Sequence, residues 1–343
     1  MPPATPPAPL DAVPPEKALL LRLAQGPVSG DALAREAGLT RAAVWKRIEA
    51  LRAAGIAVEA GRGRGYALAA PLDLLEAQAI AAALAPVARA AVHGLDVAWA
   101  IDSTSSELLR RTTPVRGVDV LLAERQTGGR GRLGRPWSSP LAANLYLSLA
   151  RAFEGGLARL GGLGLVAGVA AASALHGLGY AAVRLKWPND LVVEGEGGAL
   201  RKLGGLLVEG GGEHGGPVRA VVGLGLNVRM PAGAGAEIGQ PWCDLAGLGA
   251  DPPPRNAVAA ALLSALVPAL ERFDREGLAP FLADYAAFDV LAGRTVAVTV
   301  AGMPASGRAL GVAPDGALRV EVDGVERQVH AGEATLRAPG APG

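Results

Sequence analysis

Residues 124–137, ERQTGGRGRLGRPW, place four glycines and four arginines in one stretch that closes on a tryptophan. Glycine lets a backbone come close to a ligand and visit positive φ. Arginine supplies planar, permanently charged donors suited to carboxylate and phosphate. Interleaved, they predict a flexible cationic loop that closes over an anionic small molecule; a solvated turn is the plain alternative. Gly129, Gly131 and Gly134 also satisfy G-x-G-x-x-G. The dinucleotide fingerprint, however, needs small intervening residues and a helix opening at the third glycine. Here Arg130, Arg132 and Leu133 intervene, and Arg135-Pro136-Trp137-Ser138-Ser139-Pro140 is a poor helix start. That reading is set aside.

Other stretches add polar groups. Asp102-Ser103-Thr104-Ser105-Ser106 clusters hydroxyls between a strand-like and a helix-like run, where they cap the helix or meet a ligand. Gln126 stands just ahead of the arginine loop. In Lys186-Trp187-Pro188-Asn189-Asp190 a strand delivers a lysine, proline stops the ladder and Asn-Asp turns the chain. Asp190 either binds a divalent cation or caps that turn. In Arg201-Lys202-Leu203-Gly204-Gly205-Leu206-Leu207-Val208-Glu209, Lys202 either points at a ligand close to the backbone or stands exposed at a strand start. Gly223-Leu224-Gly225-Leu226-Asn227 ends a strand in glycines and an amide. No G-x-x-x-x-G-K-[ST] and no G-x-S-x-G occurs. Cys243 has no evident histidine partner, and four scattered histidines make a poor zinc site. What remains is cations and glycines without a nucleophile. That suits substrates that react with each other while the protein positions them and neutralises charge, as when ATP activates a carboxylate.

The elements that must position these residues fall into three units. Residues 1–16, rich in proline and alanine with no basic or apolar leader, read as a disordered lead. Residues 17–70 read as a winged helix-turn-helix. Three short helices (to Gly26, Gly30–Ala37 capped by Ser29, Arg41–Ala53 capped by Thr40) precede a hairpin of Ile56–Glu59 and Tyr66–Leu68. Between Lys17 and Leu68 there are nine Lys/Arg against four Asp/Glu, in a chain of net charge +1. Arg41, Lys46 and Arg47 on the third helix and Arg62 and Arg64 on the wing are the expected DNA contacts; a protein-interaction module with a solvated basic helix is the plain alternative. Trp45 on that helix is a less obvious DNA reader than a smaller polar residue.

Residues 71–290 alternate strand-like runs (118–123, 144–149, 183–186, 206–209, 220–226) with helical ones (105–111, 160–178, 256–276). Several strands follow one another without a helix, so a mixed α/β sheet is expected. Glu194–Gly198 and Gly210–Gly216 read as hairpin tips, and residues 229–250 as a mobile loop. Residues 291–338, with strands at 295–300 and 317–322 among spaced glycines, predict a small SH3-like barrel. The class is therefore α+β overall. Leu160–Leu175 carries no charge but is only sixteen residues long and holds four glycines, so a buried helix and no membrane partner are expected. The single cysteine fits a cytoplasmic protein.

In this order, S-T-S, Q-x-x-G-R-G-R-x-G-R-x-W, K-W-P-N-D, KLGGLLVE with the family spacing, and G-x-G-x-N-V resemble the biotin–protein ligases over roughly residues 17–337. The winged helix resembles their bifunctional bacterial branch, which also represses biotin synthesis. The resemblance implies a class II synthetase-like central domain with biotin and ATP as substrates and Mg²⁺ beside Asp190. It places biotin against Ser103, Thr104, Ser105, Gln126, Arg130, Gly131, Arg132, Lys202 and Gly205. It places the nucleotide against Arg132, Arg135, Trp137, Lys186, Asn189, Asn227 and Trp242. Arg132, Lys202 and Asp190 become the catalytic candidates. The implied partners are a biotin carboxyl carrier protein, operator DNA and a second copy of the chain. A ligand-sensing transcription factor without catalysis and a lipoate–protein ligase remain the alternatives.

Overall fold

Local caps set the first helices. Ser29 Oγ accepts the Ala32 N–H at 3.1 Å and Thr40 Oγ1 that of Ala43 at 3.2 Å, while Gly38 ends the middle helix in the left-handed region. The computed structural model describes residues 14–61, 64–154, 156–212, 218–235, 238–249, 251–300, 302–330 and 332–336. Arg62, residues 1–13 of the expected lead and most of the Gly210–Gly216 tip lie outside the described residues. Helices α1 (Pro15–Ala24), α2 (Gly30–Ala37) and α3 (Arg41–Ala53) pack Leu20, Leu23, Val44, Ile48 and Leu51 together. The antiparallel hairpin β1 (Val58–Gly61) and β2 (Gly65–Leu68) follows as the wing. One member of this core comes from far along the chain. Leu141 is buried there, and its N–H donates at 2.8 Å to the Ala54 carbonyl at the end of α3.

The central unit adds α4 (Ala77–Ala83), α5 (Pro86–Ala91), β3 (Val92–Ala98), α6 (Thr104–Arg110), β4 (Val118–Ala123), β5 (Leu145–Phe153) and α7 (Leu163–Gly177). It continues with β6 (Val183–Lys186), β7 (Asp190–Glu194), β8 (Leu200–Gly212), β9 (Val218–Leu226), α8 (Arg255–Glu276) and α9 (Leu282–Phe288). Seven strands form one mixed sheet in the order β3-β4-β5-β9-β8-β7-β6. Only β3 and β4, joined through α6, run parallel. Strand alternation sorts the two faces. Val120, Leu122, Leu147 and Leu149 enter the large core under α7 and α8, whereas Leu121, Ala123 and Ala150 pack with Leu108 of α6 on the other side. By length and composition α8 could cross a membrane, but Leu262, Leu263, Leu266 and Leu270 on it are fully buried in this core.

The last unit is an antiparallel sheet of β10 (Thr295–Val300), β11 (Met303–Val312), β12 (Leu318–Val322), β13 (Val325–Val329) and β14 (Thr335–Leu336), in the order β13-β12-β11-β10-β14. Gly307 and Gly311 lie inside β11. A Cβ on Gly307 would come within 2.2 Å of the Glu321 carbonyl, so the close strand crossing requires glycine there. Val296, Val298, Leu318 and Val320 belong to the same core as α7 and α8, and Trp187 Nε1 donates at 3.1 Å to the Gly316 carbonyl.

A buried ion pair ties the linker to the centre. Arg255 Nη2 lies 2.8 Å from Glu124 Oε2, both nearly inaccessible, and Arg255 also donates to the carbonyls of Asp73 and Asn144. Glu124 Oε1 takes the Leu75 N–H at 2.5 Å. Burial pushes the Glu124 carboxyl up, opposed by the guanidinium and by that amide.

Candidate active site

The run Val222-Gly223-Leu224-Gly225-Leu226 on β9 sends its aliphatic side chains to the α7/α8 side and leaves two glycines on the opposite face. On β5, Ser148 pairs with Gly223 and shares that face between Leu147 and Leu149. A cavity of about 1030 Å³ opens there.

Its floor is a chain of hydrogen bonds. Gln126 Oε1 accepts both the Thr104 N–H (2.8 Å) and the Thr104 hydroxyl (3.1 Å). Ser148 Oγ then joins Thr104 Oγ1 at 2.7 Å and Ser105 Oγ at 3.0 Å. Ser103 caps α6 through the Ser106 N–H. The cluster therefore caps a helix and also lines the cavity. Asp102 beside it carries a carboxyl held low by hydrogen bonds from Arg110 and the Ser103 N–H, against some desolvation. Ser148 was absent from the sequence reading. Its signal was the one serine in the run Leu145-Tyr146-Leu147-Ser148-Leu149-Ala150.

The arginine loop is a hairpin rather than an open coil. Trp137 N–H donates to the Gly129 carbonyl (2.9 Å), and Gly131 N–H to that of Arg135 (2.8 Å). The tip places Leu133 and Gly134 in the left-handed region, with the leucine exposed. At its base the Trp137 indole lies across the paired glycines Gly205 and Gly225. A Cβ on Gly225 would meet Trp137 Cε2 at 2.5 Å, and one on Gly205 would lie 3.5 Å from Trp137 Cζ3. Lys202 Nζ sits 5.6 Å from the indole centroid, and Trp137 Nε1 is buried without a hydrogen-bond partner among the described residues.

Strand pairing sets the far wall. Asp190 lies opposite Gly205 and Lys186, and its Oδ1 is 2.7 Å from Lys202 Nζ. The Asn189 side chain donates to the Leu206 carbonyl at 2.5 Å. Arg130 Nη2 reaches Ser106 Oγ at 2.9 Å and Glu209 Oε1 at 3.3 Å. The rim comes from the C-terminal sheet, which sequence reading kept apart. Arg135 forms a paired contact with Glu333 (2.7 and 3.0 Å), and Arg132 donates to the Gly332 carbonyl at 3.0 Å. Arg294, Ser306, Glu333 and Thr335 line the same cavity. These contacts join residues about two hundred positions apart, and nothing local in the sequence announces them.

Of the expected ligand residues, Ser103, Thr104, Ser105, Gln126, Arg130, Gly131, Arg132, Arg135, Trp137, Lys186, Asn189, Asp190, Lys202 and Gly205 all line this cavity. Asn227 and Trp242 do not. The Asn227 amide instead donates to the Cys243 carbonyl at 3.0 Å, and the Trp242 ring packs where a Gly235 side chain would stand. The expectation of a mobile loop over 229–250 needs correction in its second half. Residues 241–245 run beside Lys202, with Lys202 N–H to Pro241 O at 2.9 Å and Cys243 N–H to Lys202 O at 3.0 Å, and Leu245 is fully buried. Burial also pushes the Cys243 thiol up to about 11.

In the winged helix, Arg41 (3.2 Å from Asp31), Lys46 and Arg64 are exposed and Arg47 is half-buried.

Family models match three parts of the chain: the biotin/lipoate A/B protein ligase family over residues 98–227, a helix-turn-helix domain over 16–67 and the biotin protein ligase C-terminal domain over 292–337. The bifunctional ligase/repressor BirA of Escherichia coli is 39% identical over 323 residues, covering 93% of this chain and 96% of that protein. The biotin–[acetyl-CoA-carboxylase] ligase of Mycobacterium tuberculosis is 33% identical, covering 70% and 87% respectively. Among solved structures, the biotin protein ligase from Aquifex aeolicus in complex with biotin and ATP aligns with a TM-score of 0.58 at 26% identity, over 72% of this chain and 99% of that one.

Proposed function

Since the chain belongs to the biotin protein ligase family, in the bifunctional ligase/repressor branch, we propose the following division of labour among its residues. The protein is an ATP-dependent biotin–protein ligase that also acts as a DNA-binding repressor. A biotin carboxylate oxygen attacks the ATP α-phosphorus, pyrophosphate leaves, and biotinyl-5′-AMP forms. The amine of a carrier lysine then attacks the acyl carbon, an amide forms and AMP leaves.

The observation that carries the residue assignments is the convergence of three chemistries on one cavity: a neutral hydroxyl–amide floor, a lysine–aspartate wall and an arginine rim. The floor (Ser103, Thr104, Ser105, Ser148, Gln126) offers donors and acceptors to the ureido ring. Lys202 offsets the charge of the carboxylate as it approaches the phosphate. Arg130, Arg132 and Arg135 have donors for phosphate, and closing the hairpin keeps water from a hydrolysable acyl-adenylate. Gly131 and Gly205 let ligand and indole approach the backbone; Lys186, Asn189 and Trp137 flank the nucleotide. No protein nucleophile is required, and Cys243, buried and protonated, does not supply one.

Magnesium fits as an ion carried by the nucleotide. Among the described residues no cluster of three His, Cys, Asp or Glu could hold it alone, so Asp190 would give one oxygen while phosphates and water give the rest. When bound, the ion offsets phosphate charge. The carrier is a biotin carboxyl carrier domain, the DNA an operator, and two chains on two half-sites the arrangement a winged helix favours. The single cysteine and the need for ATP support a cytoplasmic location.

The deciding experiment incubates the full chain with biotin, ATP, Mg²⁺ and an apo biotin carrier domain and follows the carrier by mass spectrometry. One biotinyl group on one lysine is expected. Transfer of lipoate instead, or adenylate formation without transfer, would overturn the assignment.

A further inference from the structure

Helix α3 turns Val44, Ile48 and Leu51 into the core of the winged helix. The outward positions of its first half are Arg41, Ala42, Trp45 and Lys46, all exposed. Trp45 is the exception in kind, an indole 54% exposed on the first half of the helix that follows the turn. The only other exposed large hydrophobic residue described between residues 14 and 68 is Leu21 of α1. Trp45 therefore stands as a single apolar projection among cations, whereas protein partners are met by contiguous apolar patches.

The charge around it is arranged for a polyanion. Arg41, one turn before Trp45 and 3.2 Å from Asp31, and Lys46 just after it are exposed cations on the same helix, and Arg64 is an exposed cation on the wing. Glu49, one turn after Trp45, is held at 2.7 Å by Arg52, which also donates to the Val58 carbonyl at 2.7 Å and 3.0 Å. The nearest acid on α3 is thus neutralised within the domain. Arginine and lysine contacts to phosphate hold a helix in register but carry no sequence information. The N-terminal half of a recognition helix meets base edges, and the apolar feature offered in the major groove is the thymine C5-methyl group.

Resting on the repressor reading above, we propose that Trp45 is the main sequence-specificity determinant of the DNA-binding domain, packing its indole on thymine methyl groups in the major groove. Affinity comes from the surrounding cations; discrimination comes from the indole. Ala42, one turn back on the same face, leaves room for a base-pair edge beside it.

The test uses the full chain with biotin and ATP against a random-sequence duplex library. Enrichment of a motif with a fixed thymine is expected. Replacing that thymine by uracil, which removes only the methyl, should weaken binding about five- to tenfold. In Trp45→Ala the same replacement should change binding less than twofold. The variant should also keep its affinity for random duplex and its salt dependence, because Arg41, Lys46 and Arg64 remain, and keep its ligase activity. Trp45→Phe should retain part of the thymine preference. Indifference of the parent protein to uracil, or selection of the same motif by Trp45→Ala at unchanged affinity, would overturn the inference while leaving DNA binding intact. No enrichment at all would remove the repressor reading and the inference with it.

Discussion

Gly225→Ala is a one-carbon probe of the arginine hairpin. The added Cβ would sit 2.5 Å from Cε2, 2.7 Å from Cζ2 and 2.9 Å from Nε1 of Trp137. Ordinary contact begins near 3.4 Å, so the indole must retreat by about 1 Å, as in other overpacked sites. β9 is held on both sides, between β5 and β8. The hairpin can shift, because its tip is exposed at Leu133. The strain therefore appears as a displaced Trp137, which also leaves Lys202. At about 1–3 kcal/mol for such overpacking, biotin affinity should fall roughly 5- to 150-fold, with a much smaller change in the urea midpoint. Titration calorimetry with biotin and tryptophan emission would read both effects. Gly211→Ala on β8, where a Cβ meets nothing within 4 Å, is the matched control and should change affinity less than twofold. Biotin affinity within twofold and unchanged emission in Gly225→Ala would refute the proposed seat of the indole.

Ser148→Ala strips a shared partner from Thr104 and Ser105. It should weaken biotin binding by about 1–3 kcal/mol in a direct titration while the fold melts near the parent temperature. Arg255→Met leaves the Glu124 carboxylate buried without its cation, and urea denaturation should show a loss of about 3–5 kcal/mol; less than 1 kcal/mol would mean that the pair contributes little. Cys243 is the sole cysteine, and its thiol, held up to about 11 by burial, is almost wholly protonated at pH 7.5. Native protein should resist iodoacetamide, labelling should accelerate as pH rises toward 11, and urea should expose the thiol at any pH in that range. Rapid labelling of folded protein at pH 7.5 would show that residues 241–245 are not strapped to β8.

Helices α2 and α3 could be bounded in the sequence to the residue because Ser29, Gly38 and Thr40 act on backbone groups within their own turns. β4, β6 and β10 were equally clear, short runs of β-branched and aliphatic residues, alternating with basic ones in β6. The Ala-rich segment of α4 and α5 escaped notice because alanine on every side gives no contrast between faces. β7 was hidden behind the Trp187-Pro188 turn, and β11 behind Pro304, Gly307 and Gly311. The candidate site divides on the same line. The arginine hairpin, Lys202 and Asp190 stand out as unusual residues at tight spacing. Ser148 and Glu333 matter only through partners that folding brings to them, from 44 and about 200 residues away. Asn227 shows the converse: it belongs to a recognisable motif, yet its amide is spent on the Cys243 carbonyl.

Leu141 bears on how freely this architecture could be rearranged. It follows the arginine hairpin by four residues, yet it is a core residue of the winged helix, and Pro140 beside it would touch a side chain at Gly55. The seam at residue 70 is thus not a place where one module ends and a portable one begins. Cutting there would bare Leu141 and loosen the chain just beyond the hairpin, so a shortened protein would lose ligand affinity along with DNA. Grafting this winged helix onto another ligase body would succeed only if residues 140–142 travelled with it.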